Sequence, residues 1–325
     1  MISILIAARN EERNIIRCLQ AIDSQDYPKD KLDILIGDDD SSDGTAALVQ
    51  GFIGGKPHFR LLPIRSQVAG LRGKTNVLAQ LARQATGGFF LVTDADVCVP
   101  PTWVRGMLAE FTPQTGVVTG VTTVAGKNLF ARMQALDWVV NIYAAHRFSE
   151  LGVPITAMGN NMAVTRAAYE ATGGYAQVGF SLTEDFALFM DIIRRGYGFK
   201  NLFQTNVLAV SQPVATWRQL FRQRKRWMTG AFQLPWFIVV CFVAQALYLP
   251  VVLAFTLFYW KIGLSVMVLK WLIRMLATRQ IVRKLRQEVS FSDLLLFEWY
   301  SDIVNFLYLV HYCFSKKTYW KGREY

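Results

Sequence analysis

Charged residues are scarce in this 325-residue chain, and cysteines are few. Only 18% of the residues are charged whereas 52% are hydrophobic, and this composition excludes an intrinsically disordered protein. The four cysteines are widely spaced and form no C-x-x-C pair, so the sequence gives no sign of a zinc site or a disulfide framework. We therefore expect four free thiols and a protein that folds in a reducing compartment.

Acidic residues are depleted from the C-terminal third of the chain. Residues 1–217 contain 19 basic and 19 acidic side chains, whereas residues 218–325 contain 16 basic and 5 acidic ones. The net charge of +11 thus lies beside long apolar runs, which favours an anionic membrane surface over nucleic acid as a partner. The apolar run at residues 3–7 is too short for a signal peptide, so we expect the N-terminal body to stay in the cytoplasm.

Short apolar runs alternate with amphipathic stretches over the first 125 residues. This alternation predicts an α/β fold, with a mostly parallel sheet covered by helices on both faces. In such sheets, ligands bind at the carboxyl ends of the strands. The predicted strands are residues 2–7, 32–37, 59–64, 89–93 and 117–124, and the predicted helices are residues 10–23, 44–52, 73–85, 129–151 and 186–195.

The C-terminal part contains long uncharged runs. Residues 234–260 carry no charge, and this run exceeds the roughly 20 residues that a helix needs to cross a bilayer. We predict membrane segments at about residues 234–257, 260–277 and 292–314. Lys270 and Arg274 lie near the end of the second segment, where we expect their long side chains to reach the interface.

The number of crossings is open at this point. Glu298 and Asp302 make the third segment a poor membrane span. The basic stretches 279–286 and 316–323 both favour the cytoplasmic side, and two crossings satisfy both if the third segment lies in the interface. Three full crossings, with the C-terminal tail outside, are the alternative.

Carboxylates follow two of the predicted strands. Asp38, Asp39 and Asp40 come after the second strand, and Asp94 and Asp96 come after the fourth. Either cluster alone is compatible with an ordinary solvated turn or a helix cap. Because both lie at the same edge of one sheet, we interpret them as a site for a divalent cation and the diphosphate that it neutralises.

A third acidic site precedes the helix predicted at residues 186–195. Thr183 is placed to act as the N-cap, and Glu184 and Asp185 are acids of the first turn, which the helix dipole favours. A carboxylate at a helix start beside a crevice can also accept a proton from an incoming hydroxyl. Both interpretations can hold together.

A basic amphipathic stretch leads into the first membrane segment. We interpret Arg218, Arg222 and Lys225 as an interfacial face for anionic headgroups. Within about one helical turn, Gln223, Arg226 and Trp227 bring an amide, a guanidinium and an indole to one patch. A guanidinium suits a departing diphosphate, and an aromatic face suits a sugar ring.

Five motifs occur in the order found in family 2 glycosyltransferases, and the sequence resembles that family over about residues 1–230. More narrowly, it resembles the membrane-bound branch that includes cellulose synthases, hyaluronan synthases and ceramide glucosyltransferases. Residues 319–323 also resemble the tails of bacterial single-transfer members. The five motifs are residues 7–11 (AARNE), residues 38–39 with 42–45 (DD and SDGT), residues 94–96 (DAD), residues 183–185 (TED) and residues 223–227 (Q-x-x-R-W).

The resemblance implies a GT-A fold, a mixed and mostly parallel sheet that supports inverting sugar transfer. It also implies a nucleotide-diphosphate sugar as donor, with UDP as the expected nucleotide, and magnesium or manganese as cofactor. The acceptor is expected to be a lipid or a lipid-linked molecule. We expect residues 1–230 to form the cytoplasmic catalytic domain and residues 231–325 an integral membrane region, in the inner membrane of a bacterium.

The resemblance assigns a role to each motif position. Asp185 is the catalytic base, Asp96 is the metal ligand, and Lys74 approaches the diphosphate of the donor. A weaker match places Gly159, Asn160, Asn161 and Glu184 beside the sugar or the acceptor. The other donor-binding positions are Ala7, Arg9, Glu11, Asp38, Asp39, Asp94, Gln223, Arg226 and Trp227.

The chain departs from the family pattern at Asp40, where relatives often have glycine after the paired aspartates. Two other functions remain as alternatives. A processive polysaccharide synthase would need a channel built from more helices or from several copies. A membrane scaffold that binds nucleotide sugar without turnover is disfavoured, because all the catalytic positions are filled.

Overall fold

The chain forms two compact units, the first made of Met1–Thr123 and Ala144–Gln212 and the second of Val124–Tyr143 and Pro213–Tyr325. The structure is a computed structural model, and it describes residues 1–68, 70–179, 181, 183–231, 234–315, 319–320 and 323–324. Residues 316–318 of the basic stretch 316–323, and residues 321–322 of that stretch and of the tail motif 319–323, therefore lie outside the described residues. All four cysteines are free thiols, as predicted.

The first unit contains a seven-stranded sheet with the strand order β3-β2-β1-β4-β7-β5-β8. Only β7 runs antiparallel to its neighbours β4 and β5, so the sheet is mixed and mostly parallel, as predicted. The strands are β1 Ile2–Ala8, β2 Leu32–Asp38, β3 Phe59–Pro63, β4 Phe89–Asp94, β5 Thr115–Thr119, β6 Thr122–Val124, β7 Asn161–Thr165, β8 Gly198–Asn201 and β9 Ala209–Ser211. Strand β6 pairs with β9 outside the seven-stranded sheet. In the second unit, β10 Tyr319–Trp320 pairs with β11 Arg323–Glu324.

The longer helices of this unit bury an apolar stripe. In α1, for example, Ile15, Leu19 and Ile22 are completely buried, at the spacing that one helix face requires. The helices are α1 Ile15–Asp23, α2 Thr45–Ile53, α3 Gly73–Gln84, α4 Trp103–Leu108, α5 Leu129–Glu150, α6 Arg166–Ala171, α7 Gly174–Val178 and α8 Glu184–Arg194, with 3₁₀ turns at Lys29–Lys31 and Thr205–Val207. Helix α5 begins in the second unit and ends in the first.

The strand register brings three strand ends together. Ala8 of β1 pairs with Asp38 of β2, and Ala7 of β1 pairs with Asp94 of β4. The central strands are buried on both faces, which explains their continuous apolar sequence. Their carboxyl ends form one edge of the sheet, and the predicted acidic residues lie there.

Several sequence predictions of strands and helices differ from the structure. The run 117–124 is two strands, because the chain leaves the seven-stranded sheet after Thr119 and β6 pairs with β9 in a separate sheet. The helix predicted from residue 10 begins at Ile15, because Asn10 has a left-handed φ of 54° and lies in a loop. Strand β7 was not predicted at all, although it lies between β4 and β5.

The second unit is mostly helical. Besides the first part of α5, it contains α9 Trp217–Ala231, α10 Trp236–Phe258, α11 Trp260–Lys284 and α12 Phe291–Phe314. Leu220 of α9 packs with Val304 and Tyr308 of α12 in a buried cluster, and α12 therefore lies along the amphipathic helix. Among the described residues, α10 is the one helix whose length and composition suit a membrane crossing, and most of it is exposed.

The charged residues of α11 and α12 face one another. Lys270 and Arg274 of α11 form ion pairs with Asp302 of α12, and Arg274 Nε lies 3.3 Å from Glu298 Oε2. Both carboxylates are buried, Glu298 completely. The prediction that Lys270 and Arg274 reach outward to the interface is therefore wrong, because pairing inside the helix bundle satisfies these charges.

The predicted position of Lys225 is also wrong. It was predicted on an exposed basic face with Arg218 and Arg222, but it is 7% exposed, and its Nζ donates to Ser315 O at 2.6 Å and to Ser315 Oγ at 3.0 Å. Arg218 is exposed and Arg222 is half-buried. Lys225 instead fastens the end of α12 to α9.

Candidate functional site

The loops after β1 and β2 are tied together by side-chain hydrogen bonds. Arg9 Nη1 donates to Asp39 O at 2.8 Å and lies 3.3 Å from Asp39 Oδ2. Glu11 N–H donates to Thr45 Oγ1 at 2.8 Å, at the start of α2. Asn10 also bonds to Ser41 and Ser42, and this network fixes the backbone between Ala7 and Glu11.

Asp38 and Asp40 have different environments although they are two residues apart. Asp38 is buried, and in the described part of the chain its Oδ1 has no hydrogen-bond partner. A buried carboxylate oxygen of this kind is costly unless it gains a donor, and a ligand hydroxyl can supply one. Asp40 is exposed and has a left-handed φ of 55°, a backbone conformation that glycine adopts without steric cost.

Lys74, from the first turn of α3, lies between carboxylates of two other elements. Its Nζ is 2.5 Å from Asp94 Oδ1, at the end of β4, and 3.3 Å from Glu184 Oε1, at the start of α8. Burial alone would lower the pKa of Lys74, but the charges of Asp94, Glu184 and Asp185 outweigh burial and raise this pKa above its usual value. Lys74 is therefore a fixed cation within an acidic site.

Asp96 is held by a strand that the sequence did not predict. Cys98 exchanges two backbone hydrogen bonds of 2.8 Å with Val210 of β9, and Ser211 Oγ then donates to Asp96 Oδ2 at 3.2 Å. Ser211 is a site residue that sequence reasoning missed, because a lone serine more than 100 residues from its partner carries no local signal.

The carboxylates at the end of β4 suit a hard divalent cation. The described residues contain no cluster of three or more acidic, histidine or cysteine side chains that could hold a metal. Magnesium and manganese sites that act on phosphates commonly use one or two protein carboxylates, with phosphate oxygens and water as the other ligands. Asp96, with Asp94 two residues away at the same strand end, fits this arrangement.

Asp185 is fixed by two backbone donors. Phe186 N–H donates to its Oδ1 at 2.8 Å, and Gly159 N–H donates to its Oδ2 at 2.8 Å. Thr183 occupies the N-cap position of α8, but among the described residues its hydroxyl makes no capping bond to the helix. The carboxylate of Asp185 thus has a defined orientation at the helix start.

The side chains of Asn160 and Asn161 are engaged by the protein. Thr122 Oγ1 donates to Asn160 Oδ1 at 3.1 Å, and both residues are buried. Asn161 accepts a hydrogen bond of 2.8 Å from Trp103 Nε1 and donates two of 2.9 Å to the carbonyls of Val121 and Val207. Asn161 thereby uses its amide oxygen and both amide hydrogens, and the predicted sugar or acceptor contact of these residues stays a prediction.

Three predicted residues, Gln223, Arg226 and Trp227, belong to α9 of the second unit, where a buried ion pair fixes their helix. Arg224 pairs with Asp137 of α5, and its guanidinium lies over the Trp227 ring, 4.5 Å from the centroid. Trp227 also packs edge-to-face on Trp138, with 5.1 Å between ring centroids. The roles predicted for the three residues stay predictions.

The overall fold matches a solved structure, the mannosyltransferase PcManGT from Pyrobaculum calidifontis in complex with GDP-Man and Mn²⁺. The TM-score is 0.62 at 18% identity, and the match covers 97% of this chain and 87% of that one. The chain therefore has the fold of the GT-A glycosyltransferases, as the sequence predicts.

The profile of glycosyl transferase family 21 matches residues 2–325, and the chain belongs to this family. Among curated proteins, it is 27% identical to the beta-monoglucosyldiacylglycerol synthase of Synechocystis sp. and 29% identical to the probable glycosyltransferase YdaM of Bacillus subtilis. These matches cover 71% and 75% of this chain, but 48% and 57% of the relatives. The chain thus spans about half the length of these relatives.

Proposed function

We propose that the protein is an inverting glycosyltransferase that transfers a sugar from a nucleotide-diphosphate donor, a UDP-sugar, to a hydroxyl group of a lipid or lipid-linked acceptor. One observation carries this proposal. In the first unit, Asp185 is held in a fixed orientation by two backbone N–H groups, near the cation Lys74 and the strand-end carboxylates. This arrangement provides a proton acceptor next to groups that suit a diphosphate.

The proposed donor site uses the loops after β1 and β2. Asp38 and Asp39 are assigned to the base and the ribose, since Asp38 offers a buried oxygen that needs a hydrogen-bond donor. Arg9 fixes Asp39, and Glu11 fixes the start of α2 through its bond to Thr45. Asp94 is assigned to sugar or ribose hydroxyls.

Asp96 is assigned to a magnesium or manganese ion. When bound, such an ion neutralises the diphosphate and stabilises the charge that develops on the departing nucleotide. The bond from Ser211 fixes the Asp96 carboxylate from one side. The mannosyltransferase of the same fold was solved as a complex with Mn²⁺, and this supports the assignment.

The proposed reaction is one displacement. The acceptor oxygen forms a bond to the anomeric carbon of the sugar, the bond from that carbon to the diphosphate oxygen breaks, and Asp185 takes the hydroxyl proton. Attack opposite the leaving group inverts the anomeric configuration, and no covalent enzyme intermediate forms. For Gln223, Arg226 and Trp227, the family resemblance remains the basis of their proposed role in donor binding.

A lipid acceptor fits the surface of the second unit. Helix α10 is apolar and mostly exposed, and large hydrophobic side chains are exposed along α11 from Trp260 to Leu276. The Synechocystis relative is named as the synthase of a glucosylated diacylglycerol, and this supports the same class of acceptor. We propose an integral membrane protein with a cytoplasmic catalytic domain of about residues 1–230, in a bacterial inner membrane.

The test is a screen of nucleotide sugars. Purified protein in vesicles of native lipid extract is incubated with each donor and with magnesium or manganese, and the lipids are analysed by mass spectrometry. The proposal predicts one donor that yields a lipid heavier by a single sugar residue. A ladder of sugar additions would instead identify a processive synthase. Donor binding without release of nucleotide diphosphate would identify a scaffold without turnover.

A further inference from the structure

Gly159 and Asp185 approach each other closely in the first unit. The backbone N–H of Gly159 donates to Asp185 Oδ2 at 2.8 Å. A Cβ atom on Gly159 would lie 2.6 Å from Asp185 Cγ and closer still to its Cβ and Oδ2. The φ of Gly159 is outside the left-handed region, so the proximity of Asp185 and not the backbone conformation requires glycine here.

The residues after Gly159 hold the loop in place. Asn160 O accepts a hydrogen bond of 3.0 Å from Thr93 Oγ1 on β4, and its side chain accepts one from Thr122 Oγ1 on β6. Asn161 is completely buried and makes three side-chain hydrogen bonds. The position of the Gly159 N–H is thus set by contacts with several elements of the first unit.

We propose that Gly159, Asn160 and Asn161 form a positioning element for Asp185, with the Gly159 N–H orienting the carboxylate that accepts the proton. This inference rests on the proposed function, which makes Asp185 the base. In this inference, Asn160 and Asn161 hold the loop in place, because their side chains are hydrogen-bonded to other protein groups. Gly159 is therefore a positioning residue that acts on the acceptor step and not on the donor.

Among the described residues, each oxygen of Asp185 accepts one backbone hydrogen bond, which leaves it a second lone pair for an incoming hydroxyl. Two fixed donors restrict the rotation of the carboxylate, so this second lone pair has a constant direction. Displacement of a catalytic group by about 1 Å can reduce the rate about 100-fold. A side chain at position 159 would cause a displacement of this size.

The first experiment compares Gly159→Ala with Gly88→Ala. Gly88 is the matched control, because a Cβ added there meets no atom within 4 Å in the described structure. Donor affinity is measured by calorimetry, transfer by single-turnover kinetics, and folding by thermal unfolding of the full-length protein in vesicles. We expect Gly159→Ala to slow transfer about 100-fold with unchanged donor affinity. Gly88→Ala should match the wild type.

A second pair of variants tests the loop without adding volume. Thr122→Val removes the hydroxyl that donates a hydrogen bond to Asn160. Thr123→Val removes a buried hydroxyl that has no hydrogen-bond partner in the described structure. We expect Thr122→Val to slow transfer at least threefold at unchanged donor affinity, and Thr123→Val to leave transfer unchanged. This pair decides the question if Gly159→Ala does not fold.

Two results would overturn the inference. One is transfer at the wild-type rate by Gly159→Ala. If Gly159→Ala does not fold, transfer at the wild-type rate by Thr122→Val has the same meaning. The other is a variant that loses donor affinity in proportion to its rate, because Gly159 would then contact the donor sugar. Asp185→Asn separates failure of the inference from failure of the proposed function, since intact transfer by Asp185→Asn would refute the base assignment itself.

Discussion

Lys74 Nζ and Asp94 Oδ1 form an ion pair of 2.5 Å that joins the start of α3 to the end of β4. The same cation lies 3.3 Å from Glu184 on α8, so it neutralises carboxylates of two other elements. The sequence resemblance placed Lys74 at the donor diphosphate. In the structure, its partners are acidic residues of the protein.

Replacement of Lys74 by methionine should destabilise the first unit. Loss of the cation leaves Glu184 buried without this partner, and we expect the free energy of unfolding to fall by about 2 to 4 kcal/mol, since Asp94 keeps partial solvent access. Urea unfolding checks this. Arg194→Met is the matched control, because its pair with Asp191 is exposed and should contribute less than about 0.5 kcal/mol.

The stability lost in Lys74→Met should not become smaller as the pH rises from 6 to 8. The pKa of Lys74 is raised in the folded protein, so its stabilisation is fully present below the ordinary value of 10.5 and is lost only as the pH rises through the raised value. A loss of stability that becomes smaller between pH 6 and pH 8 would contradict the assignment of Lys74 as a permanent cation.

Asp33 should make the stability of the folded protein depend on pH in the acidic range. Burial opposes its charge, but hydrogen bonds from Thr86, Arg60 and Ser3 outweigh burial and lower the pKa of Asp33 below 3.8. Its stabilisation is therefore present above pH 3.8 and is lost as the pH falls through the lowered value. Asp33→Asn should be less stable than the wild type at pH 7, and urea unfolding should show this difference shrinking as the pH falls below 3.8.

Asp96→Ala should abolish the dependence of donor binding on the metal. Without this carboxylate, the diphosphate meets an acidic strand end that no cation neutralises, so nearly all transfer activity should be lost. Titration calorimetry with and without manganese measures the effect. Ser211→Ala keeps the carboxylate but removes its hydrogen bond, and it should weaken metal dependence only partly. Wild-type metal dependence in Asp96→Ala would refute the assignment.

The basic face of α9 should matter only for acceptors embedded in a membrane. Arg218→Gln with Arg222→Gln removes two charges that attract anionic lipid at about 1 kcal/mol each. We expect lower transfer to a full-length lipid in anionic vesicles and unchanged transfer to a short-chain, water-soluble analogue. Lys225 is excluded from this set because it is buried against Ser315. Equal losses on both acceptors, or none on either, would contradict the model.

Periodicity and strand ends made much of the first unit predictable. Short runs rich in isoleucine and leucine that alternate with amphipathic stretches, such as residues 32–37, favour buried strands, and acids directly after parallel strands lie at one edge of the sheet. Strand β7 was missed because Asn161 interrupts the apolar pattern at its first residue. The asparagine is buried there because Trp103, Val121 and Val207 satisfy its amide, and sequence cannot reveal these distant partners.

In the second unit, the sequence could likewise not predict the partners of charged side chains. The apolar pattern located α10, α11 and α12, but it could not tell where their charged residues point. Lys270 pairs with Asp302 across 32 positions of the chain, and Lys225 bonds to Ser315 across 90. Such pairings depend on how helices pack, so the sequence alone predicts both a lysine in an apolar run and a lysine in a basic stretch as surface groups.

The central claim is that Asp185 accepts the proton of the acceptor hydroxyl. Its most direct test compares Asp185→Asn with the wild type in vesicles that contain the donor and lipid identified by the screen. The exchange keeps the shape of the side chain but removes the proton acceptor, so donor affinity by calorimetry should be unchanged and single-turnover transfer should fall about 10²- to 10⁴-fold. Transfer at the wild-type rate would reduce Asp185 to an acid at a helix start and would contradict the account.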